Sequence, residues 1–439
     1  MRLRLFIPLL AAIPLAAQEP NFGRAMASTG TELLVGQPVN WYGPGTLYSY
    51  RSSGDGRWTE SSRIVASDPE RMDDFGRALA VDGNTLIVAA PRKRDGAGLV
   101  YIFGRSTPSS PWQQSQVIEA PNGGEFGASL VLDGNDLLIG APGADSVGMV
   151  HHYHRSGDAW QPAATIRPPS GTTNGTGFGA SLARSANHLV IGSPGLDQGV
   201  GGVFVSTRSA DGTWSAVQSV NIPRVLAGAR ARIGAAVFVE DNRAFIGAPG
   251  AAAVFIAELQ EDTWSLAGEL RPFDQARGSQ FGAAITASGD ELWVGAPGSR
   301  GGNGGVYRFL RNSDGEWRGV LRVDADSADG THWPFAFGYA IAALPGGGAA
   351  VSTPSRDFGE GRVLVMAQGG NGWTERQQLM GEIHQIGGAP AEPGRCRDGS
   401  HGVFTCNNIE VVSHLPTSAL GGARGAWVND VWGWSDPLT

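Results

Sequence analysis

The sequence predicts an all-β protein: a seven-bladed β-propeller of four-stranded blades, followed by a short disulfide-bearing C-terminal segment. Three markers predict it, each recurring in the same order along the chain. Phe-Gly pairs begin at Phe22, Phe75, Phe126, Phe178, Phe281 and Phe337, and Ile233-Gly234 fills the one gap in the series. A proline follows 16 or 17 residues after each pair, at Pro38, Pro91, Pro142, Pro194, Pro249, Pro297 and Pro354. A tryptophan comes next, at Trp58, Trp112, Trp160, Trp214, Trp264, Trp317 and Trp373. Self-similarity at a period near 50 residues marks a repeat architecture, in which each unit buries its apolar face against its neighbours.

Each unit parses into four strands. In the third they read FGASLVLD, DLLIGAP, GMVHHYHRS and AWQPAATI, with Asp133-Gly134-Asn135 as a tight hairpin between the first two. The second strand is a continuous apolar run, which suits a strand covered on both faces. The proline closes that strand where it sacrifices no ladder hydrogen bond, and the glycine before it lets backbones approach. The tryptophan is expected to cover the outer strand and adjoining turn. Radial repetition protects the sheet edges that a flat array would expose. The seventh unit has its own fourth strand, WTERQQLM, so the ring is expected to close by packing blade 7 on blade 1 without exchanging strands.

Composition agrees. Gly makes up 66 of 439 residues while apolar residues still reach 41%, a pairing that suits many short strands and tight turns. The net charge of −8 and pI near 5.5 argue against a nucleic-acid partner. Lys93 is the single lysine, which reads as codon bias. Residues 1–17 form an export signal, with Arg2 and Arg4 ahead of the apolar run Leu5–Leu15 and small residues Ala16-Ala17 at the cleavage point. No later segment is long and apolar enough to cross a bilayer. The reading is thus a secreted, periplasmic or cell-surface protein. Its propeller occupies 18–385, a Gly/Pro/Ala linker 386–395, and a further segment 396–439.

The units resemble FG-GAP repeats, known from the integrin α-subunit propeller and from bacterial exported proteins. The resemblance covers residues 21–385 and implies a binding role for the face that carries the inter-blade loops. It also raises calcium, which integrin-type repeats hold in a carboxylate-rich loop between Phe-Gly and Gly-Ala-Pro. Here that loop is cut to the hairpins 81–84, 132–135, 239–242 and 287–290, each with one or two acidic residues. Six to eight oxygen ligands cannot be assembled there, so no calcium or other cofactor is expected. The acidic stretch Asp324, Asp326, Asp329 reads as a solvated connector.

His151, His152 and His154 form the one histidine cluster. Strand alternation puts His152 and His154 on one face and His151 with Tyr153 on the other. Two imidazoles on one face suit a transition metal, but no companion carboxylate is evident nearby in sequence, so a partly exposed strand is the expectation and no metal site is assigned. No catalytic motif is found either: no G-x-S-x-G elbow, no H-E-x-x-H, no P-loop. Binding residues are sought instead on loops held by the scaffold. The connections between second and third strands offer Trp41, Tyr42, Arg92, Lys93, Arg94, Asp197, Arg300, Arg356 and Asp357, which serve either a ligand or solubility.

Cys396 and Cys406 are the only cysteines, and in an exported chain they are expected to pair as a disulfide. Residues 396–439 resemble the opening of the choice-of-anchor B family, through Asn408, Ser413-His414-Leu415-Pro416, Asn429-Asp430 and Trp432-Gly433-Trp434. That family continues into LVIVD-type repeats, so the chain is expected to be a fragment, with surface anchoring supplied by a missing C-terminal region. The functional expectation is a non-enzymatic scaffold that binds protein or glycan in adhesion. The alternatives are an enzyme or carbohydrate-processing accessory with a site on the loop-rich face, and a spacer presenting a second propeller.

Overall fold

The computed structural model describes residues 21–381, apart from 40–43, 55, 71–72, 174, 186, 224–225, 227, 262, 277, 325–335, 355–360 and 370–371, together with four two-residue strands between 394 and 411. Residues 21–381 form seven sheets of four consecutive antiparallel strands. The first strands are Ala25–Ser28, Ala78–Asp82, Ser129–Asp133, Ser181–Ser185, Ala236–Glu240, Ala284–Ser288 and Ile341–Leu344. Each packs on the first strand of the next blade, and the last packs on the first, so the seven form a closed ring around an axis. Blade 7 (Ile341–Leu379) keeps all four of its own strands, and so does blade 1 (Ala25–Ile64); closure exchanges none.

The apolar second strands are buried along their length, as in Glu32–Gln37 and Asp136–Ala141. Each Phe of a Phe-Gly pair is fully buried, and Ile233 nearly so. The ring meets the aromatic of its own third strand edge-on: Phe22–Tyr48 at 5.3 Å, Phe75–Tyr101 at 5.3 Å and Phe281–Tyr307 at 5.2 Å between centroids. Each such ring contributes roughly 2–3 kcal/mol through burial, and this geometry adds about 1 kcal/mol more.

The paired glycines have a common purpose. A Cβ on Gly36, Gly140, Gly192, Gly247 or Gly295 would lie 2.0–2.1 Å from the carbonyl oxygen of Gly76, Gly179, Gly234, Gly282 or Gly338 respectively. The glycine of Gly-Ala-Pro in one blade thus gives room to the Phe-Gly backbone of the next, and the motif spans the blade boundary.

The tryptophans depart from expectation. Trp160 of blade 3 is buried against Ile87, Val100 and Ile102 of blade 2, and Trp58 of blade 1 against Val365 and Leu379 of blade 7. They seal the seam with the preceding blade, because a large flat ring closes a wedge between sheets better than it covers a single edge strand. Two seams are clamped further. Gln116 accepts from the Trp160 backbone N–H at 2.8 Å and donates to its carbonyl at 2.9 Å. Gln377 does the same for Trp58 at 2.8 and 2.7 Å, which locks the ring closure.

Two short antiparallel ladders lie further on, Gly394–Arg395 with Glu410–Val411 and Ser400–His401 with Phe404–Thr405. Cys396 and Cys406, and with them the expected disulfide, lie outside the described residues. So do the export signal and residues 386–393 of the linker, whose last two residues form the first of these strands. Among the described residues no helix is long and apolar enough to cross a membrane.

Candidate functional site

The histidine strand is the chemically densest place in the ring. Met149–Ser156 pairs with Asp136–Ala141 so that Asp136 stands opposite His154 and Leu138 opposite His152. Alternation holds: His151 and Tyr153 both turn to Phe126, at 5.4 and 6.3 Å, while His152 and His154 both turn to Asp136. The expectation of a partly exposed strand is corrected. His151 and His152 are 4% and 3% exposed, and only His154 reaches solvent. His151 occupies the place of Tyr48, Tyr101 and Tyr307 against the Phe ring, and that role explains its burial. The companion carboxylate, Asp136, stood 16 to 18 residues away; only the ladder register brings it to the histidines.

Asp136 is 6% exposed and accepts from four side chains. Oδ1 is 2.8 Å from His152 Nε2 and 3.0 Å from His154 Nδ1. Oδ2 pairs with Arg208 and, at 3.3 Å, with Arg184, both from blade 4. Burial acts to raise its pKa, but the bonds from His154, His152 and Arg208 outweigh it and hold the carboxyl well below the usual range. Burial pushes the His152 pKa down, despite the bond to Asp136.

The three groups Asp136, His152 and His154 converge closely enough to suggest a metal site. They do not fit one. Trp214 Nε1 donates to His152 Nδ1 at 3.2 Å, and an indole N–H has no acceptor capacity. His152 Nδ1 is therefore bare, so Nε2 carries the proton that goes to Asp136. A metal needs the opposite arrangement at Nε2, and it would also face two guanidinium groups. The cluster is a hydrogen-bonded ion-pair hub across the seam between blades 3 and 4. The seam between blades 1 and 2 has a counterpart: buried Glu32 accepts from Arg105, from Trp112 Nε1 at 3.2 Å and from Ser49 at 2.5 Å.

Beside the hub a cleft of about 680 Å³ opens between the outer strands of blades 3 and 4. Its cause is local. Ala164 stands four residues after Trp160, where Gln116 and Gln377 stand after their own tryptophans and clamp the neighbouring blade. Blade 4 also has an outer strand of only two residues, Gln218–Ser219. Its lining combines the apolar Ala163, Ala164 and Ile166 with the polar His154, Arg208 and Thr213. Neither His152 nor His154 has a hydroxyl or thiol partner among the described residues. His154 keeps one nitrogen, Nε2, clear of the hub.

The cleft adjoins the hairpin between third and fourth strands, at the opposite end of the blades from the loops singled out in the sequence. Of those loop residues, Trp41, Tyr42, Arg356 and Asp357 lie outside the described residues. Arg94, Asp197 and Arg300 are exposed, each third after its proline, and share a left-handed backbone with φ of +54°, +51° and +49°. Arg94 pairs with Glu119 at 2.7 Å and Arg300 with Asp324 at 3.1 Å. Arg92 is exposed, whereas Lys93 is not. Its side chain is 1% exposed, and Nζ bonds the Asp68 carbonyl and lies 3.1 Å from the Asp68 carboxylate. It ties the segment entering blade 2 to the propeller, so it does not face a ligand. No sequence signal separates it from its neighbours.

Comparison with known proteins places this geometry. An FG-GAP repeat family model matches residues 58–103. No curated protein sequence matches significantly. Among solved structures, a putative 6-phosphogluconolactonase from Bacteroides uniformis superposes with a TM-score of 0.57 at 12% identity, covering 80% of this chain and 97% of that one. The periplasmic gluconolactonase of Pseudomonas aeruginosa gives 0.55 at 18% identity, covering 80% and 95%. A functionally unknown protein from Desulfotomaculum acetoxidans gives 0.51 at 13%, covering 76% and 91%. At such identities the likeness shows the fold. The chain is a seven-bladed β-propeller, with an FG-GAP repeat matched from the last strand of blade 1 through the third strand of blade 2 and the same glycine contacts recurring at other blade boundaries.

Proposed function

We propose that this is an exported propeller that binds a glycan in the cleft between blades 3 and 4. The observation that carries the reading is the cleft itself, at a seam where Ala164 stands in the place that Gln116 and Gln377 use to clamp theirs. A lining that mixes apolar side chains with imidazole, guanidinium and hydroxyl groups suits a sugar, whose ring offers C–H faces and hydroxyls together. Binding by side chains on rigid strands needs no ordering of loops, which favours affinity. The test is a glycan array probed with the wild type and with Ala164→Gln, which installs the clamp. The wild type should bind a defined set of glycans and the variant should lose them. No glycan bound by the wild type, or unchanged binding by the variant, overturns the reading.

A second reading rests on one further observation. His154 gives Nδ1 to Asp136 and leaves Nε2 at the cleft, the orientation of a general base held by a carboxylate. The lactonase names of the fold's neighbours suggest the assay. If δ-gluconolactone is hydrolysed faster by the wild type than by His154→Ala, the cleft is catalytic. Equal rates leave it a binding site.

A further inference from the structure

The residue that follows each Phe-Gly pair stands just before the innermost strand, one residue ahead of it in blades 1 to 6 and two in blade 7, at the end of the axis that carries the inter-blade loops. In blades 3 to 6, with Ile233-Gly234 counted as a pair, it is alanine: Ala128, Ala180, Ala235 and Ala283. In blades 7, 1 and 2, which are consecutive around the closed ring, it is Tyr339, Arg24 and Arg77. At this position one sector of the rim is therefore cationic and hydrogen-bonding, and the rest carries only alanine. Arg24 crosses the blade boundary, its guanidinium carbon 4.2 Å from the centre of the Tyr339 ring. Arg92, just after Pro91, brings a third guanidinium to the same sector, close enough to act electrostatically on both Arg24 and Asp74. Among the described residues none of these three arginines forms an ion pair with a carboxylate.

Two acceptors at the positions just before the Phe-Gly pairs of blades 1 and 2 lack donors. Asp74, which precedes Phe75, is 1% exposed, and neither of its carboxylate oxygens has a hydrogen-bond partner. Asn21, which precedes Phe22, has its buried Oδ1 in the same condition. A buried carboxylate that lacks donors is costly, by about 1–3 kcal/mol or more, and three arginines that stop short of it do not satisfy it. Burial raises the Asp74 pKa even against Arg77, Arg92 and Arg24. Burial also lowers the Arg24 pKa to about 10. Both groups thus sit in a setting that a ligand with complementary atoms would relieve.

We infer that the axial rim at blades 7, 1 and 2 is a binding site for a small polyhydroxylated carboxylate, such as a sugar acid. The ligand's carboxylate meets Arg24, Arg77 and Arg92, and its hydroxyls donate to Asp74 and Asn21. A simple anion would satisfy the arginines and be repelled by Asp74. A neutral polyol would satisfy Asp74 and Asn21 and leave the guanidinium groups unpaired. Only a molecule with both parts fits both sets, and charged hydrogen bonds to guanidinium supply the larger share of affinity. The site is separate from the cleft between blades 3 and 4 and does not depend on it.

The test uses the purified full chain and isothermal titration with three probes: D-gluconate, glucose and hexanoate. Gluconate should bind, and glucose and hexanoate should bind at least about tenfold more weakly. Arg24→Gln and Arg77→Gln should each weaken gluconate by about tenfold or more, with Arg24→Lys recovering part of the loss. Asp74→Asn should narrow the gap between gluconate and hexanoate. Far-ultraviolet circular dichroism and melting confirm that each variant is folded. Should a rim variant fail to fold, the wild-type ranking of the three probes decides alone. No heat with gluconate, equal binding by hexanoate, or unchanged affinity in a folded Arg24→Gln and Arg77→Gln pair overturns the inference.

Discussion

Trp214 donates its indole N–H to Nδ1 of His152 across the seam between blades 3 and 4. That one bond decides the tautomer of a buried histidine, and through it what the neighbouring carboxylate can hold. It also makes the seam testable.

Zinc should not bind at Asp136, His152 and His154 in the wild type, because the indole keeps the proton on His152 Nε2. Trp214→Phe frees Nδ1 and permits the ligating tautomer. Titration of Zn²⁺ followed by histidine NMR resonances should leave His152 unmoved in the wild type and shift it in the variant. A stoichiometric shift in the wild type would sink the tautomer argument.

Acid should loosen the same seam in two stages. The folded pKa of His152 is depressed, so the unfolded chain takes up its proton first and stability falls as pH drops below about 6.5. The folded pKa of Asp136 is also depressed, so its contribution is present above its unfolded value of about 4 and is lost as pH falls further. Denaturant midpoints against pH should show both declines, and His152→Gln should reduce the first, the remainder coming from His151, whose pKa burial also lowers. A flat profile between pH 7 and 5 in the wild type contradicts the assignment.

Asp136→Asn should destabilise the chain by about 3–5 kcal/mol, since Arg184 and Arg208 would lose their buried counter-charge. Lys93→Met removes the only lysine from beside Asp68 and should cost about 1–3 kcal/mol while leaving both ligand sites intact. Equilibrium unfolding in urea gives both values. A loss below about 1 kcal/mol for Asp136→Asn would reduce the hub to a surface ion pair.

Ala252→Gly should stabilise. By ladder register Ala252 precedes the third strand of blade 5, where Gly98, Gly148, Gly201, Gly304 and Gly361 stand in other blades with φ from +77° to +97°. Ala252 holds φ at +51°, which costs an L-residue about 1 kcal/mol relative to glycine. The converse change, Gly148→Ala, would put a Cβ 2.3 Å from the Phe178 carbonyl and should cost about 3 kcal/mol or more. A higher urea midpoint for the first variant and a lower one for the second are expected; opposite signs would refute the shared geometry.

Much of this protein was legible along the chain. Phe75, Pro91 and Trp112 recur with their counterparts in order, and each marks a local requirement: an aromatic to bury, a strand end without a donor, a ring to fill a wedge. The rim position was missed in the sequence, although its signal is there: after the Phe-Gly pair blades 3 to 6 repeat alanine where Tyr339, Arg24 and Arg77 break the series. Strand alternation assigned His152 and His154 to one face.

What the sequence by itself determined is the repeat, and hence the number of blades, the four strands in each and the closure without exchange. These follow from contacts within a blade or between equivalent positions of adjacent blades, where local pattern and global fold say the same thing. The tertiary structure alone decided which blade each tryptophan seals, that Lys93 is buried, and that Asp136, Arg208 and Trp214 close on His152. Those outcomes depend on side chains from different blades meeting at a seam, and no spacing along the chain encodes which rotamer fills a gap that another blade leaves open. Ala164 shows the point most simply: an alanine on one strand means nothing until the neighbouring blade shows the glutamine clamp that is missing there.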